Sequence, residues 1–293
     1  MLCKDTKKLR IKKEELRIIS YLCGRNNKTF EFMKRILTFA VAALATFFNI
    51  EAAQPMKAPK GGKAISDELL GIFFEDISYA ADGGIYAEFV QNGSFEYNST
   101  ERDGWGPGTS WRFVRPGHSL GRIEPRMDNP LHPNNPTYMR VYIERVGHYP
   151  DFDGWTGVGL ENSGFDGISV KAGQTYNFSA FLRNVEGGNK DIRVVLVEPG
   201  RPAKILADQK IVASLHAWQQ IPTTLTPSES SSRAVLQLLV LGKGAIDIDQ
   251  VSLMPQDTYK GHGLRKDLIQ ALADLKPKFM RFPGGCVVHG GGD

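Results

Sequence analysis

Two places in the chain hold residues whose types and spacing could handle a polar ligand. The first is Glu75, in "GIFFED", which closes an apolar run from Leu69 to Phe74. The second is Arg281 and the following Pro283, Gly284, Gly285 and Cys286, in "KFMRFPGGC". A carboxylate at a strand end can accept hydrogen bonds from hydroxyl groups. Adjacent glycines leave bare backbone where a ligand can come close. An arginine among aromatic residues is costly to bury alone, so Arg281 is expected to have a carboxylate partner. From residue types alone, Glu75 and Arg281 form either part of a ligand site or a structural ion pair. Cys286 has no base near it in sequence, which argues against a thiol nucleophile.

Other candidates are weaker. Trp105, Trp111, Trp155 and Trp218 could offer a flat apolar face to a ligand, although tryptophan more often fills a core. Asp247 and Asp249 are two carboxylates, far short of the 6–8 oxygen ligands that calcium takes. His118, His132, His148, His216 and His262 show no ligand spacing. Neither a metal nor a cofactor is expected.

These residues need elements to position them, and the N-terminal part supplies none. Met33-Lys34-Arg35, an uncharged run from Ile36 to Ile50, and small residues after it read as a secretory signal over 33–53, too short to span a bilayer comfortably. Residues 1–32, which carry Cys3 and Cys23, precede that signal and read as upstream translation outside the fold. Setting 1–53 aside lowers Lys+Arg from 36 to 25 and Asp+Glu from 32 to 27, so the formal charge moves from +4 to near −2. That removes the hint of nucleic-acid binding. Cys286 is then the remaining cysteine, which excludes a disulfide framework. A periplasmic or extracellular protein is expected, with no membrane attachment after signal cleavage.

Beyond a Pro/Gly/Lys-rich linker at 54–64, the texture changes twice. Residues 65–95 begin with Leu69–Phe74, which is short, rich in Ile and Phe, and reads as a strand buried on both faces. "IYAEFVQNGSFE" follows Gly83-Gly84 as a short helix or turn. Residues 96–255 show alternation at Tyr176, Phe178, Ala180 and Leu182, at Ile192, Val194 and Leu196, and at Ile246 and Ile248, with glycine turns between. That pattern predicts an antiparallel β-sandwich. In 256–293, Leu264, Leu268, Ala271, Leu272 and Leu275 share one helix face, Pro277 stops the helix, and "KFMRF" forms the next strand.

A strand, a long insert, a helix and a strand make a βαβ unit whose connection holds a whole domain. The fold class expected is α/β plus all-β: the start of a (β/α)8 barrel, its first two strands only, interrupted by a β-sandwich. A complete barrel needs about 250 residues, so the chain reads as a fragment that stops at the C-terminal end of a second barrel strand.

At this point "LGIFFEDISYAADGGIYAEFVQNGSFEY" and "GLRKDLIQALADLKPKFMRFPGGC" resemble glycoside hydrolase family 51, the α-L-arabinofuranosidases, over about residues 65–293. The insert resembles the jelly-roll, carbohydrate-binding-like module of the longer members. The resemblance implies hydrolysis, with retention, of terminal arabinofuranosyl groups in arabinan or arabinoxylan, so the partner would be a plant cell-wall polysaccharide or oligosaccharide. It matches Glu75 to the family's glutamate that contacts arabinose hydroxyls, and Arg281 to its strand-two arginine. Cys286, after Gly284-Gly285, matches a sugar-contacting residue. Retention needs two carboxyl groups about 5–5.5 Å apart. The family's pair stands on later strands, so no catalytic residue is expected within 1–293 and Glu75 takes neither role. The competing reading is a non-catalytic carbohydrate-binding module with barrel remnants.

Overall fold

The computed structural model describes residues 62–147, 155–200 and 203–285. The expected signal, residues 1–32, His148 and Cys286 lie outside the described residues. From residue 66 onward the chain belongs to one compact unit, Ser66–Asp293.

Alternating apolar residues between Trp111 and Pro255 form two antiparallel sheets. One has the order β10 (Gln219–Leu225), β7 (Tyr176–Glu186), β12 (Gly244–Pro255), β4 (Tyr138–Arg145), β3 (Leu120–Arg126). The other runs β2 (Trp111–Val114), β5 (Val158–Asn162), β11 (Ser231–Val240), β8 (Lys190–Glu198), β9 (Lys204–Ala213), and β6 (Ile168–Val170) also pairs with β11. Phe178, Ala180, Leu182, Ile246 and Ile248 of the first sheet and Leu160, Ile192, Val194, Leu196 and Leu236 of the second belong to one buried apolar cluster. The two sheets therefore share a core, as a sandwich requires. The expected inward residues Tyr176, Phe178, Ala180 and Leu182 are each 1% exposed or less.

Local chemistry sets the turns. Between β7 and β8 the chain reverses through Gly187, at φ +86°, a region that favours glycine. Buried Lys190 closes this turn, its Nζ donating to Asn184 Oδ1 at 3.1 Å and to the carbonyls of Glu186 and Gly188, each at 2.6 Å.

The stretch after Gly84 forms turns and extended backbone rather than a helix. Val90 and Phe95 enter the sandwich core, and the Phe95 ring lies 5.0 Å from that of Trp111. Glu88 ties this entry segment to the last strand of the sandwich. Its Oε1 accepts the Leu253 N–H at 2.8 Å and its Oε2 accepts the Ser252 hydroxyl. Ala87 N–H donates to Gly263 O at 2.9 Å and Arg265 N–H to Ile85 O at 2.8 Å. Entry and exit of the sandwich thus run side by side.

The expected burial of the first strand does not occur. A 3-10 turn at Asp67–Leu69, capped by the Ser66 hydroxyl, precedes a short β1 (Ile72–Phe73), which pairs in parallel with β13 (Met280–Arg281). Leu69, Leu70, Phe73, Phe279, Met280 and Phe282 are all more than half exposed. Parallel strands are buried when further strands and helices flank them. Among the described residues the ribbon has two strands, and the helix α1 (Lys266–Asp274) buries none of its residues. Among the described residues no helix is long and apolar enough to cross a membrane.

Candidate functional site

The parallel pairing sets Ile72 beside Met280 and Phe73 beside Arg281, so both strands deliver their C-terminal ends to the same place. The ladder continues past both strands, with Phe74 N–H donating to Arg281 O at 3.0 Å and Asp76 N–H to Pro283 O at 3.2 Å. Alternation then sorts the side chains. Phe74 and Phe282 stack with ring centroids 5.8 Å apart, while the Arg281 guanidinium lies 4.8 Å from the centroid of Phe73. Phe73 and Glu75, two positions apart, point to the same side of the extended strand.

Glu75 is half-buried, and its Oε1 accepts the Gly285 N–H at 3.1 Å. Gly284 has φ +141°, and a Cβ there would stand 2.6 Å from Glu75 Cγ. At Gly285 a Cβ would be 3.4 Å from Oε1, an ordinary contact. The glycines expected to admit a ligand admit Glu75 itself: bare backbone lets the second strand close over this carboxylate. That backbone N–H orients the carboxylate at the end of the strand. Beyond Glu75 the chain turns sharply. Ile77 N–H donates to Glu75 O at 3.0 Å, Asp76 Oδ1 accepts Ala81 N–H at 2.9 Å, and Ser78 and Tyr79 have φ of +53° and +61°.

The structure brings Glu75, Gly284 and Gly285 into contact and places Arg281 on the neighbouring ring. Among the described residues no carboxylate forms an ion pair with Arg281. Arg281 is exposed, so solvent and the Phe73 face satisfy a charge that burial would have left stranded.

The tryptophans divide. Trp111 is core, donating its indole N–H to Asn92 O at 2.8 Å. Trp105 stacks on Tyr97 at 4.4 Å, Trp155 donates to Gln237 Oε1 at 3.1 Å, and Trp218 lies 4.6 Å from the Arg183 guanidinium. Asp247 is no cation ligand. It is fully buried, with Oδ1 accepting Arg140 Nε at 2.6 Å and Oδ2 accepting Arg183 Nε at 2.9 Å. Asp249 is also fully buried; Oδ1 accepts the Gln250 N–H at 2.7 Å, while Oδ2 has no hydrogen-bond partner among the described residues. Burial, with a contribution from the Glu96 charge, pushes its pKa up to about 7. No group of three or more His, Cys, Asp or Glu residues capable of holding a metal occurs among the described residues.

Two features escaped the reading from sequence. Arg140, Arg183 and Asp247 occupy the non-core parity of β4, β7 and β12, a signal that neighbouring strands share a buried ion cluster. It becomes readable once strand order is known. Glu88, whose carboxyl burial pushes upward against lowering hydrogen bonds from Leu253 and Ser252, had no pattern to mark it.

No family model matches the chain. Alpha-L-arabinofuranosidase 1 of Arabidopsis thaliana is 33% identical over 272 residues, covering 87% of this chain and 38% of that protein. The extracellular exo-alpha-L-arabinofuranosidase of Streptomyces chartreusis is 37% identical over 236 residues, 78% of this chain and 25% of that protein. The solved structure of an arabinose-bound GH51 α-L-arabinofuranosidase superposes with a TM-score of 0.63 at 28% identity, covering 78% of this chain and 36% of that one. The chain spans between a quarter and two-fifths of the length of these relatives.

Proposed function

The chain belongs to glycoside hydrolase family 51, and from that premise we propose that it forms the sugar-orienting part of a retaining α-L-arabinofuranosidase. The observation that carries this reading is Glu75, fixed by Gly285 N–H at the C-terminal ends of two parallel strands. In (β/α)8 barrels the functional face is built at strand C-termini. On this reading β1, α1 and β13 are the opening of such a barrel, and the two antiparallel sheets, about 96–255, are a jelly-roll domain in its first connection. Glu75 accepts hydrogen bonds from arabinofuranose hydroxyls, with Arg281, Gly284 and Gly285 beside it, and Cys286 is a sugar-contacting candidate on the sequence resemblance alone. The acid/base and nucleophile that retention requires come from later strands. The substrate is arabinan or arabinoxylan outside the cytoplasm, reached through the signal at 33–53; the Streptomyces relative bears the name extracellular.

The test is a chimera in which this chain continues into the remaining barrel of the Streptomyces relative. It is expected to release nitrophenol from nitrophenyl α-L-arabinofuranoside. Glu75→Ala in the same chimera is expected to lower kcat/KM roughly ten- to a hundredfold, the loss of a charged hydrogen bond in the transition state. An active chimera indifferent to Glu75→Ala would overturn the assignment of Glu75.

A further inference from the structure

A cleft of about 700 Å³ opens on the outer side of the six-stranded sheet, between Arg112, Arg115, Arg145, Trp155 and Gln237. Its floor is a hydrogen-bonded ladder. Arg112 Nε donates to Glu161 Oε1 at 2.9 Å, Gln237 Nε2 donates to Glu161 Oε2 at 2.6 Å, and the Trp155 indole donates to Gln237 Oε1 at 3.1 Å. Gln237 is 3% exposed, so the ladder is rooted in the sheet. The indole of half-buried Trp155 donates its N–H to Gln237 and packs against the cluster of Val195, Val197, Val235 and Leu239, which together hold its ring at the cleft wall.

Among the described residues the charge in the cleft is unbalanced. Arg112 has its carboxylate in Glu161. Arg115 and Arg145, both exposed, have no ion-pair partner among the described residues, and Arg145 makes one long contact, to His118 O at 3.5 Å. A guanidinium offers a planar fork of donors that matches a carboxylate, and a fixed indole face matches the CH face of a pyranose.

We propose that this cleft binds a carboxylate-bearing saccharide, a uronate unit whose ring lies on Trp155 and whose carboxylate is held by Arg115 and Arg145. A flat aromatic wall beside two guanidiniums fits one charged sugar better than it fits a nucleic acid, which needs a longer basic track along its phosphates. The proposal does not depend on the role of Glu75.

The experiment titrates the full chain with an oligogalacturonate and with the same oligomer after reduction of its carboxyl groups to alcohols. The acidic oligomer is expected to bind at least about tenfold tighter, and more weakly as salt rises. The double variant Arg115→Gln/Arg145→Gln removes two exposed charges and is expected to weaken binding about tenfold or more while leaving the melting temperature unchanged. Trp155→Phe, which keeps a ring but loses the anchoring N–H, is expected to weaken both oligomers. No binding of the acidic oligomer, equal affinity for its reduced form, indifference to the arginine pair, or tighter binding of a single-stranded oligonucleotide would each overturn the proposal.

Discussion

Glu75 and Gly285, 210 positions apart in the chain, are joined by a hydrogen bond of 3.1 Å between the carboxylate and a backbone N–H. The whole sandwich lies between them, yet the parallel register of β1 and β13 sets one against the other. The neighbouring Gly284 makes that approach possible. Gly284→Ala would need a positive φ that alanine resists and would drive Cβ into Glu75. In the chimera, its kcat/KM is expected to fall about tenfold or more, whereas Gly285→Ala, with ordinary contacts at its Cβ, is expected to cost several-fold less than Gly284→Ala. Steady-state kinetics on the arabinofuranoside substrate decides between them, and equal effects of the two substitutions would refute the close-approach account.

Asp247 holds two arginines at once inside the five-stranded sheet, and its side chain is fully buried. Removing one member of a buried ion cluster leaves uncompensated charge, which costs about 3–5 kcal/mol. Asp247→Ala is therefore expected to lower the unfolding free energy by about that amount, measured by urea titration with fluorescence detection. A loss below about 1 kcal/mol would show that solvent reaches the arginines.

Asp249 introduces a pH dependence whose sign can be worked out. Its folded pKa of about 7 lies above the ordinary value of 3.8. Between those values the folded state holds a proton that the unfolded state has released, so stability falls as pH rises through this window. The slope is at most about 1.4 kcal/mol per pH unit. Asp249→Asn keeps an acceptor for the Gln250 N–H and is expected to flatten the decline between pH 4 and 7. Thermal melts across that range check it; an unchanged slope would assign the pH dependence to another group.

The exposed ribbon makes a fourth expectation. Lys278 and Arg281 lie exposed, just after α1 and in β13, whereas β7 and β11 are largely buried. Trypsin is expected to cleave the chain alone at those two residues before any site within the sandwich, as measured by intact-mass spectrometry. Simultaneous loss of both regions would mean that they unfold together.

By itself the sequence determined the sandwich, because inward residues such as Phe178, Ala180, Ile246 and Ile248 repeat every second position, and a period of two buries one face of a strand. It also marked the α1 helix, through Leu268, Ala271 and Leu272 with Pro277 beyond it, although Leu264 falls outside the helix and pairs with Tyr86, and it marked Glu75 and the Gly284-Gly285 pair as polar and bare positions at strand ends. Only the tertiary structure decided what those glycines approach, because that depends on the register between β1 and β13 rather than on either segment. It likewise decided that Arg281 rests on Phe73 in solvent, that Glu88 pins the entry of the sandwich to its last strand, and that Asp247 is shared by Arg140 and Arg183. Local periodicity records which face of a strand a side chain takes. Which charges become neighbours is set by strand order, and strand order follows from how the whole core closes.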